Sequence, residues 1–236
     1  MSEIRDVEWS VHDITFEGRL AVPSSSPKGA VLVCHAWSGR AEHEEAFAER
    51  LASQGYVAMA GDVYGKGVRG ANNDENEKLM TPLVQDRGML QARLTAALSA
   101  LSEQPETEGS SLAVAGFCFG GLCALDMARA HAPIKGAAAF HAIVAPAEPF
   151  SAGDIKAKVI AFQGFDDPMA GPEDLKSFGL EMTERRADWQ LHSYGGVAHA
   201  FTNEAANLPE AGLQFDASAR DRSYAAFDAF LTEIFS

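Results

Sequence analysis

A cysteine flanked by glycines is the clearest reactive group in the chain. Residues 116–121 read Gly-Phe-Cys-Phe-Gly-Gly, which fits the pattern G-x-C-x-G with Cys118 at its centre. An apolar run ends just before Cys118 and a helical pattern follows, so the sequence predicts a sharp strand-to-helix turn that exposes the thiol. Glycines suit both flanks because larger side chains would collide with neighbouring strands. The helix N-terminus favours the thiolate, and we therefore expect Cys118 to be a nucleophile.

The first alternative for Cys118 is a small buried core residue, which is the usual place of a free cysteine. The order of strand, glycines and helix favours the nucleophile instead. A second alternative is a phosphate-binding loop, but Gly120 is followed by Gly121 and Leu122 rather than by Lys and Ser or Thr. Nucleotide binding is therefore disfavoured.

An acid and a histidine follow the cysteine in the chain order expected for a nucleophile of this kind. Asp167 lies directly before a proline in the loop after a late strand, a position that makes it a better acid than its neighbour Asp166. His199 belongs to a glycine-rich loop, 195–201, that reads Gly-Gly-Val-Ala-His-Ala-Phe. We expect His199 to be the general base and Asp167 to hold it in one tautomer. The alternative is that both aspartates only cap the turn.

The other histidines carry weaker signals. His43 and His131 are expected at the surface, and His141 and His192 in packed or loop positions. His35 follows an apolar run, and two interpretations stay open for it. It either touches the nucleophile or substrate, or it closes the strand with a backbone hydrogen bond.

Acyl transfer also needs hydrogen-bond donors for a developing oxyanion. The amide of Phe119, directly after the nucleophile, is expected to supply one donor, and the amide of Ala36 the second. Trp37 is expected to wall an apolar substrate pocket together with Phe119 and Phe201, although aromatic residues at such positions are often core residues.

The remaining cysteines do not indicate redox or metal chemistry. Cys34 ends an apolar run and Cys123 follows the elbow, so both are expected to be inert core thiols, and neither forms a Cys-x-x-Cys pair with Cys118. No cluster of His, Cys, Asp or Glu has the spacing of a metal site. We expect no metal and no cofactor.

These residues need a scaffold of alternating strands and helices. Alternation around Val7 to Val11 and Ile14 to Val22 predicts an antiparallel start. Helices are indicated from about Glu44 to Gln54, across Leu83 to Leu101, after Cys118 and at the C-terminus, whereas 65–77 is expected to be a surface loop. Apolar runs predict further strands at 29–34, 56–60, 112–117, 136–140, 159–162 and 189–194. This order predicts a mostly parallel central sheet flanked by helices, with the chemistry at the carboxyl ends of the strands.

Length, charge and hydropathy limit the number of domains, the partners and the location of the protein. The chain has 236 residues and fits one domain, 1–236, and its formal net charge of −14 would repel nucleic acid and anionic membranes. Neither a signal peptide nor an apolar stretch long enough to cross a bilayer is apparent, so we expect a cytoplasmic protein. No pattern indicates an oligomeric state.

The sequence resembles the dienelactone hydrolase family along nearly its whole length. The most specific pieces are the elbow at 116–121, Asp167 before its proline, and the loop 195–201 around His199. The resemblance implies a compact α/β-hydrolase fold without a large cap domain and a Cys-His-Asp triad made of Cys118, His199 and Asp167. It also implies a small-molecule ester or lactone as substrate.

Two positions depart from the lactonases best known in that family. Those enzymes have a glutamate after the early strand, near the cysteine, where we align His35, and an arginine shortly after the histidine, where this chain has Asn203. The arginine helps to clamp the carboxylate of an anionic lactone. Its loss favours neutral aryl and short-chain esters or lactones, and His35 in place of the glutamate predicts an exposed, readily alkylated thiolate.

The predicted function is therefore hydrolysis of carboxylic esters through an acyl-thioester on Cys118. Promiscuous hydrolysis of neutral phosphotriesters is a further hypothesis, because a thiolate leaves phosphorus more readily than an alkoxide. The alternative from another class is a catalytically inactive α/β-hydrolase that binds a small ligand or a protein in the same pocket. A thiol-redox function is the weakest alternative.

Overall fold

The strands of the central sheet carry the reactive residues at their carboxyl ends. A computed structural model describes residues 2–147, 150 and 152–236. The sheet has eight strands in the order β1-β2-β4-β3-β5-β6-β7-β8, in which β2 is antiparallel to both of its neighbours and all other neighbouring strands are parallel. The strands are β1 (Glu3–Val11), β2 (Ile14–Val22), β3 (Ala30–Cys34), β4 (Val57–Ala60), β5 (Leu112–Phe117), β6 (Gly136–Phe140), β7 (Lys158–Gly164) and β8 (Trp189–Tyr194).

Six α-helices connect and cover these strands. They are α1 (Glu42–Ser53), α2 (Asn73–Gln85), α3 (Arg87–Ser102), α4 (Phe119–Arg129), α5 (Pro172–Glu184) and α6 (Ala217–Phe235). A short hairpin of β9 (Asn207–Leu208) and β10 (Leu213–Gln214) lies before α6. No cap domain covers the sheet within the described ranges, and the predicted fold class is confirmed.

Each central strand is buried on both faces, as its continuous apolar run predicts. In β3, Leu32 packs in the cluster formed with α3, α4 and α5, whereas Val31 and Val33 pack in the cluster formed with α1 and α6. Two layers of helices thus enclose one sheet. None of the helices in the described part of the chain is long and apolar enough to span a membrane.

The expected surface loop at 65–77 is wrong in its second half. Asn72 accepts a hydrogen bond from the amide of Glu75 at 3.0 Å and caps α2, which begins at the next residue. The polar run is therefore a helix cap and an exposed first turn rather than a loop. Asp86 ends α2 and caps α3 in the same way, accepting from the amide of Met89 at 2.8 Å.

A buried ion-pair network joins α4 to α5. Arg129 is fully buried and donates to Glu181 at 2.7 and 2.9 Å, to Asp126 at 3.2 Å, and to the carbonyl oxygens of Val144 and Ala145. A single guanidinium thus satisfies two carboxylates and two backbone carbonyls. Buried charges are tolerated only with such complete pairing.

We expect Arg129→Met to destabilise the protein by about 3 kcal/mol, because it leaves buried acceptors without their cation. Urea unfolding followed by circular dichroism measures the change. The control is Lys176→Met on the exposed side of α5, where the pair with Glu173 is open to solvent and its loss should cost less than about 0.5 kcal/mol. Equal stability of the two variants would contradict the proposed importance of the network.

Candidate active site

Cys118 occupies a strained turn between β5 and α4. Its φ of 55° and ψ of −114° place it in a region that residues other than glycine rarely adopt. A Cβ on Gly116 would lie 2.0 Å from the carbonyl oxygen of Gly120, and a Cβ on Gly120 would lie 2.1 Å from that of Cys34. Both glycines are therefore required by close backbone contacts. The turn leaves the Cys118 side chain partly exposed between buried neighbours.

Asp167 and His199 form a buried pair at the edge of the sheet. His199 Nδ1 donates to Asp167 Oδ2 at 2.7 Å, and the other carboxylate oxygen accepts from the amide of Met169 at 2.8 Å. Asp166, the fallback acid, is exposed. The backbone of His199 is also held, because its amide donates to Gly212 and its carbonyl accepts from Gln214.

The second ring nitrogen of His199 is available for chemistry. His199 Nε2 is buried and makes no hydrogen bond within the described structure, while Cys118 lines the same cavity. Burial lowers the pKa of His199, but the neighbouring Cys118 thiolate and the Asp167 carboxylate outweigh that effect and raise the pKa to about 10. The His199 ring is therefore protonated at neutral pH, in the cavity that Cys118 also lines.

The two amides expected to bind an oxyanion differ in their availability. The Phe119 amide donates to no acceptor in the part of the chain described here, as an oxyanion donor requires. The Ala36 amide instead donates to Glu44 Oε1 at 3.1 Å, so the expectation for Ala36 is not met in this structure. The next amide, that of Trp37, makes no hydrogen bond among the described residues and lies in the loop that borders the cavity.

His35 does not reach the cavity, and its expected contact with the substrate or nucleophile is wrong. Nδ1 donates to the carbonyl of Ala36 at 2.7 Å, and Nε2 accepts from the amide of Val63 at 3.2 Å. Burial lowers the pKa of His35, which keeps the ring neutral. The residue closes the end of β3, so it cannot take the place of a glutamate beside the cysteine.

The expected aromatic wall is only partly present. Trp37 lines the cavity, but Phe201 is fully buried behind it, with its ring 5.3 Å from that of His141. Phe119 is also fully buried, and its ring stacks on Tyr64. Phe201 and the Phe119 side chain are therefore core residues.

A cavity of about 410 Å³ opens beside Cys118 and His199. Its wall is mostly apolar, and Leu208 at its rim is 48% exposed. The apolar lining includes Trp37, Met80, Ile143, Met169, Leu208 and Leu213, and the polar lining includes Ser38, His43, Glu44, Asn73, Asn76, His141 and Asn203. A pocket of this size and character suits a small organic molecule.

Sequence reasoning missed three polar residues of this wall. Glu44 and His43 lie in the first turn of α1, and the sequence indicated only that a helix begins near Glu44. His141 directly follows β6, which lies next to β5. Its position at the carboxyl end of a parallel strand could have identified it as a residue of the site. The expected surface position of His43 is wrong, because this ring packs on Phe117 at 4.6 Å.

The two histidines of the wall are linked through Thr202. His141 Nε2 lies 2.8 Å from Thr202 Oγ1, which lies 3.4 Å from His43 Nε2. Burial lowers the pKa of both rings, that of His43 to about 4, so both are neutral at physiological pH. Within the described residues no group of side chains could hold a metal ion.

The fold and the cavity define a hydrolase of the α/β-hydrolase class. The model of the dienelactone hydrolase family matches residues 16–235, and the chain belongs to this family. Its substrates are accordingly small molecules with an ester or lactone bond, while their identity is not given by family membership.

Three comparisons support this assignment. A solved structure named m3DLH is 34% identical and covers 100% of this chain and 99% of its own, with a TM-score of 0.94. A dienelactone hydrolase-like promiscuous phosphotriesterase from metagenomic libraries is 31% identical, with a TM-score of 0.93 and the same coverage. A candidate carboxymethylenebutenolidase of Aquifex aeolicus is 27% identical and covers 84% of this chain and 87% of its own.

We expect iodoacetamide to alkylate Cys118 and to leave the other two cysteines unmodified. Cys34 and Cys123 are buried, and burial raises the pKa of both thiols. Cys118 is partly exposed and lines the cavity, so the reagent can reach its sulfur. Peptide mass spectrometry of the native protein after labelling identifies the modified residue.

The matched control is Cys118→Ala, in which the native protein should take up no label. Labelling of Cys34 or Cys123 in the native wild type would contradict their burial.

Proposed function

We propose that this chain is a cysteine-dependent carboxylic ester hydrolase that acts on neutral aryl and short-chain esters or lactones. The observation that carries the proposal is the 2.7 Å hydrogen bond from His199 Nδ1 to Asp167, which leaves Nε2 facing the cavity that Cys118 also lines. This hydrogen bond is the acid–base contact of a Cys-His-Asp triad, and the shared cavity supports Cys118 as its nucleophile.

The first half of the reaction forms an acyl-enzyme. The Cys118 thiolate attacks the ester carbonyl carbon, and a bond from Sγ to that carbon forms as the carbonyl electrons move to oxygen. The amides of Phe119 and Trp37, rather than that of Ala36, are the free donors for this oxyanion. Collapse breaks the bond to the leaving oxygen, which takes the proton of His199 Nε2.

The second half releases the acid. His199, now neutral, removes a proton from water as the water oxygen attacks the thioester carbon. The second tetrahedral intermediate expels the Cys118 thiolate, and the imidazolium is restored beside it. Asp167 holds the ring in one tautomer and stabilises its charged form throughout.

The cavity wall favours uncharged substrates. Neither Lys nor Arg occurs among its lining residues in the described ranges, so nothing there can pair with a substrate carboxylate. Asn203, where the well-known lactonases have an arginine, lines this wall. Trp37, Met80 and Leu208 provide apolar contacts for an aryl or short alkyl group.

We expect 4-nitrophenyl butyrate to be hydrolysed with an initial burst equal to the enzyme concentration, because the acyl group transfers to Cys118 before water attacks it. Cys118→Ala should reduce kcat/KM by at least about 10³-fold. Stopped-flow absorbance of 4-nitrophenolate measures both.

Cys123→Ala is the control, since that thiol is buried, and it should retain the burst. Turnover that survives Cys118→Ala would refute the triad. Tight ligand binding by the wild type without any hydrolysis would favour a binding protein instead.

A second substrate class is supported by the comparison with a promiscuous phosphotriesterase at 31% identity. Attack of Cys118 on a neutral phosphotriester would form a sulfur–phosphorus bond and expel the aryloxide. Water activated by His199 would then break that bond, and the departing thiolate is a better leaving group than a serine alkoxide. The resting enzyme would be restored.

We expect diethyl 4-nitrophenyl phosphate to be turned over many times by the wild type, because the phosphorylated thiolate can be hydrolysed. Released 4-nitrophenolate should exceed ten equivalents per enzyme. Cys118→Ser is the informative comparison and should stop at about one equivalent, as a stable phosphoester. Wild-type release that stops at one equivalent would refute this second activity.

A further inference from the structure

Glu44 is a buried carboxylate in the wall of the cavity. It lies in the first turn of α1 and is 2% exposed. Oε2 accepts from the amide of Ala41 at 3.1 Å, as a capping residue does, and Oε1 accepts from the amide of Ala36 at 3.1 Å. Helix capping explains only the hydrogen bond from Ala41. The hydrogen bond from Ala36 joins α1 to the loop that carries Trp37 and lines the cavity.

Among the described residues, no lysine, arginine or histidine forms an ion pair with this carboxylate. Arg40, the arginine nearest in sequence, pairs with Glu17 at 2.8 Å and with Glu45 at 2.6 Å. The Glu44 carboxylate is thus held by backbone amides, whose dipoles stabilise a negative charge without cancelling it. A charge in a half-enclosed apolar cavity acts on bound molecules more strongly than one in water.

The other titratable groups of the cavity do not reverse this potential. His43 and His141 are neutral, and the charge of His199 is opposed by the Cys118 thiolate and by Asp167. The described lining contains neither lysine nor arginine. Above the pKa of Glu44, which burial raises to about 7, the wall therefore carries a net negative charge.

Trp37 adds an aromatic side chain to the lining of the same cavity. It follows Ala36, whose amide donates to Glu44, so a hydrogen bond joins Glu44 to the residue directly before Trp37. Its position is fixed further because Tyr64 donates its hydroxyl hydrogen to the Trp37 carbonyl at 2.9 Å. An indole ring near a carboxylate is a common environment for an alkylammonium group, which is attracted to both.

We propose that Glu44 and Trp37 form a cation-accepting subsite, and that Glu44 makes the enzyme prefer esters with an alkylammonium group over esters with a carboxylate. This inference rests on the proposed esterase function and names the substrate class of that site. Glu44 is a specificity-determining residue in this arrangement, separate from the triad that performs the chemistry.

The test compares three esters of one leaving group that differ in the neutral, cationic or anionic group at the end of the acyl chain. They are the 4-nitrophenyl esters of hexanoate, of 6-(trimethylammonio)hexanoate and of adipate as its monoester. Background hydrolysis is subtracted, and kcat/KM is measured at pH 8.5, above the pKa of Glu44, which burial raises to about 7. The wild type should prefer the ammonium ester to the adipate ester by at least about thirtyfold.

Glu44→Gln should reduce this preference about tenfold, since it removes one charge near the acyl chain. The matched control is Glu42→Gln, which removes an exposed charge from the same helical turn and should leave the preference unchanged. The ratio of two esters does not depend on the fraction of active enzyme, so partial loss of folding does not obscure the result. Equal ratios in the wild type and Glu44→Gln would overturn the proposal.

A second measurement does not require turnover. The rate of Cys118 modification is compared for a trimethylammonioethyl and a sulfonatoethyl methanethiosulfonate, each relative to its rate with free cysteine. In the wild type the cationic reagent should react faster than the anionic one after this normalisation. In Glu44→Gln the ratio of the two rates should be about tenfold smaller. If the hexanoate ester is hydrolysed but neither assay shows a preference for the cation, the subsite is overturned and the esterase function stands. If the thiol assay shows the preference but no ester is hydrolysed, the proposed function is refuted.

Discussion

The close approach of α4 to the end of β3 is the constraint on which the rest of the site depends. The backbone of Gly120 passes so near Cys34 that a single added carbon would lie 2.1 Å from a carbonyl oxygen. This contact places the Cys118 turn against the loop that follows β3. Cys118 and Trp37 lie more than eighty residues apart in the chain, and the parallel pairing of β3 with β5 together with this backbone contact brings their loops to one cavity.

Burial then decides the charge state of each group around the nucleophile. His199 stays charged because two anionic neighbours outweigh its desolvation, whereas His43 and His141 have no comparable partners and remain neutral. Glu44 has only amide partners among the described residues, and burial raises its pKa to about 7. The electrostatic character of the site thus follows from which groups have a counterion, rather than from the residue types alone.

Sequence patterns predicted the sheet, its parallel order and the elbow, because continuous apolar runs and paired glycines are local signals. They failed where a role depends on side-chain direction. His35 and Ala36 are adjacent residues at a strand end, and spacing cannot show that the ring points to Val63 or that the amide meets a glutamate from α1. The sequence did not predict Glu44 as a residue of the cavity, because it is one of several charged residues at the start of a helix. Its contact with Ala36 is made only in the folded protein.

The backbone of His199 is held by the β10 region. Its amide donates to the Gly212 carbonyl and its carbonyl accepts from the Gln214 amide, while several residues of the segment 203–208 line the cavity. The end of that segment is β9, which pairs with β10, so 207–208 are tied to the strand that holds His199. The two parts of the segment therefore differ in their tolerance of change: natural drift or a designed library can vary 204–205 without touching this pairing, whereas changes at 207–208 would disturb the support of His199.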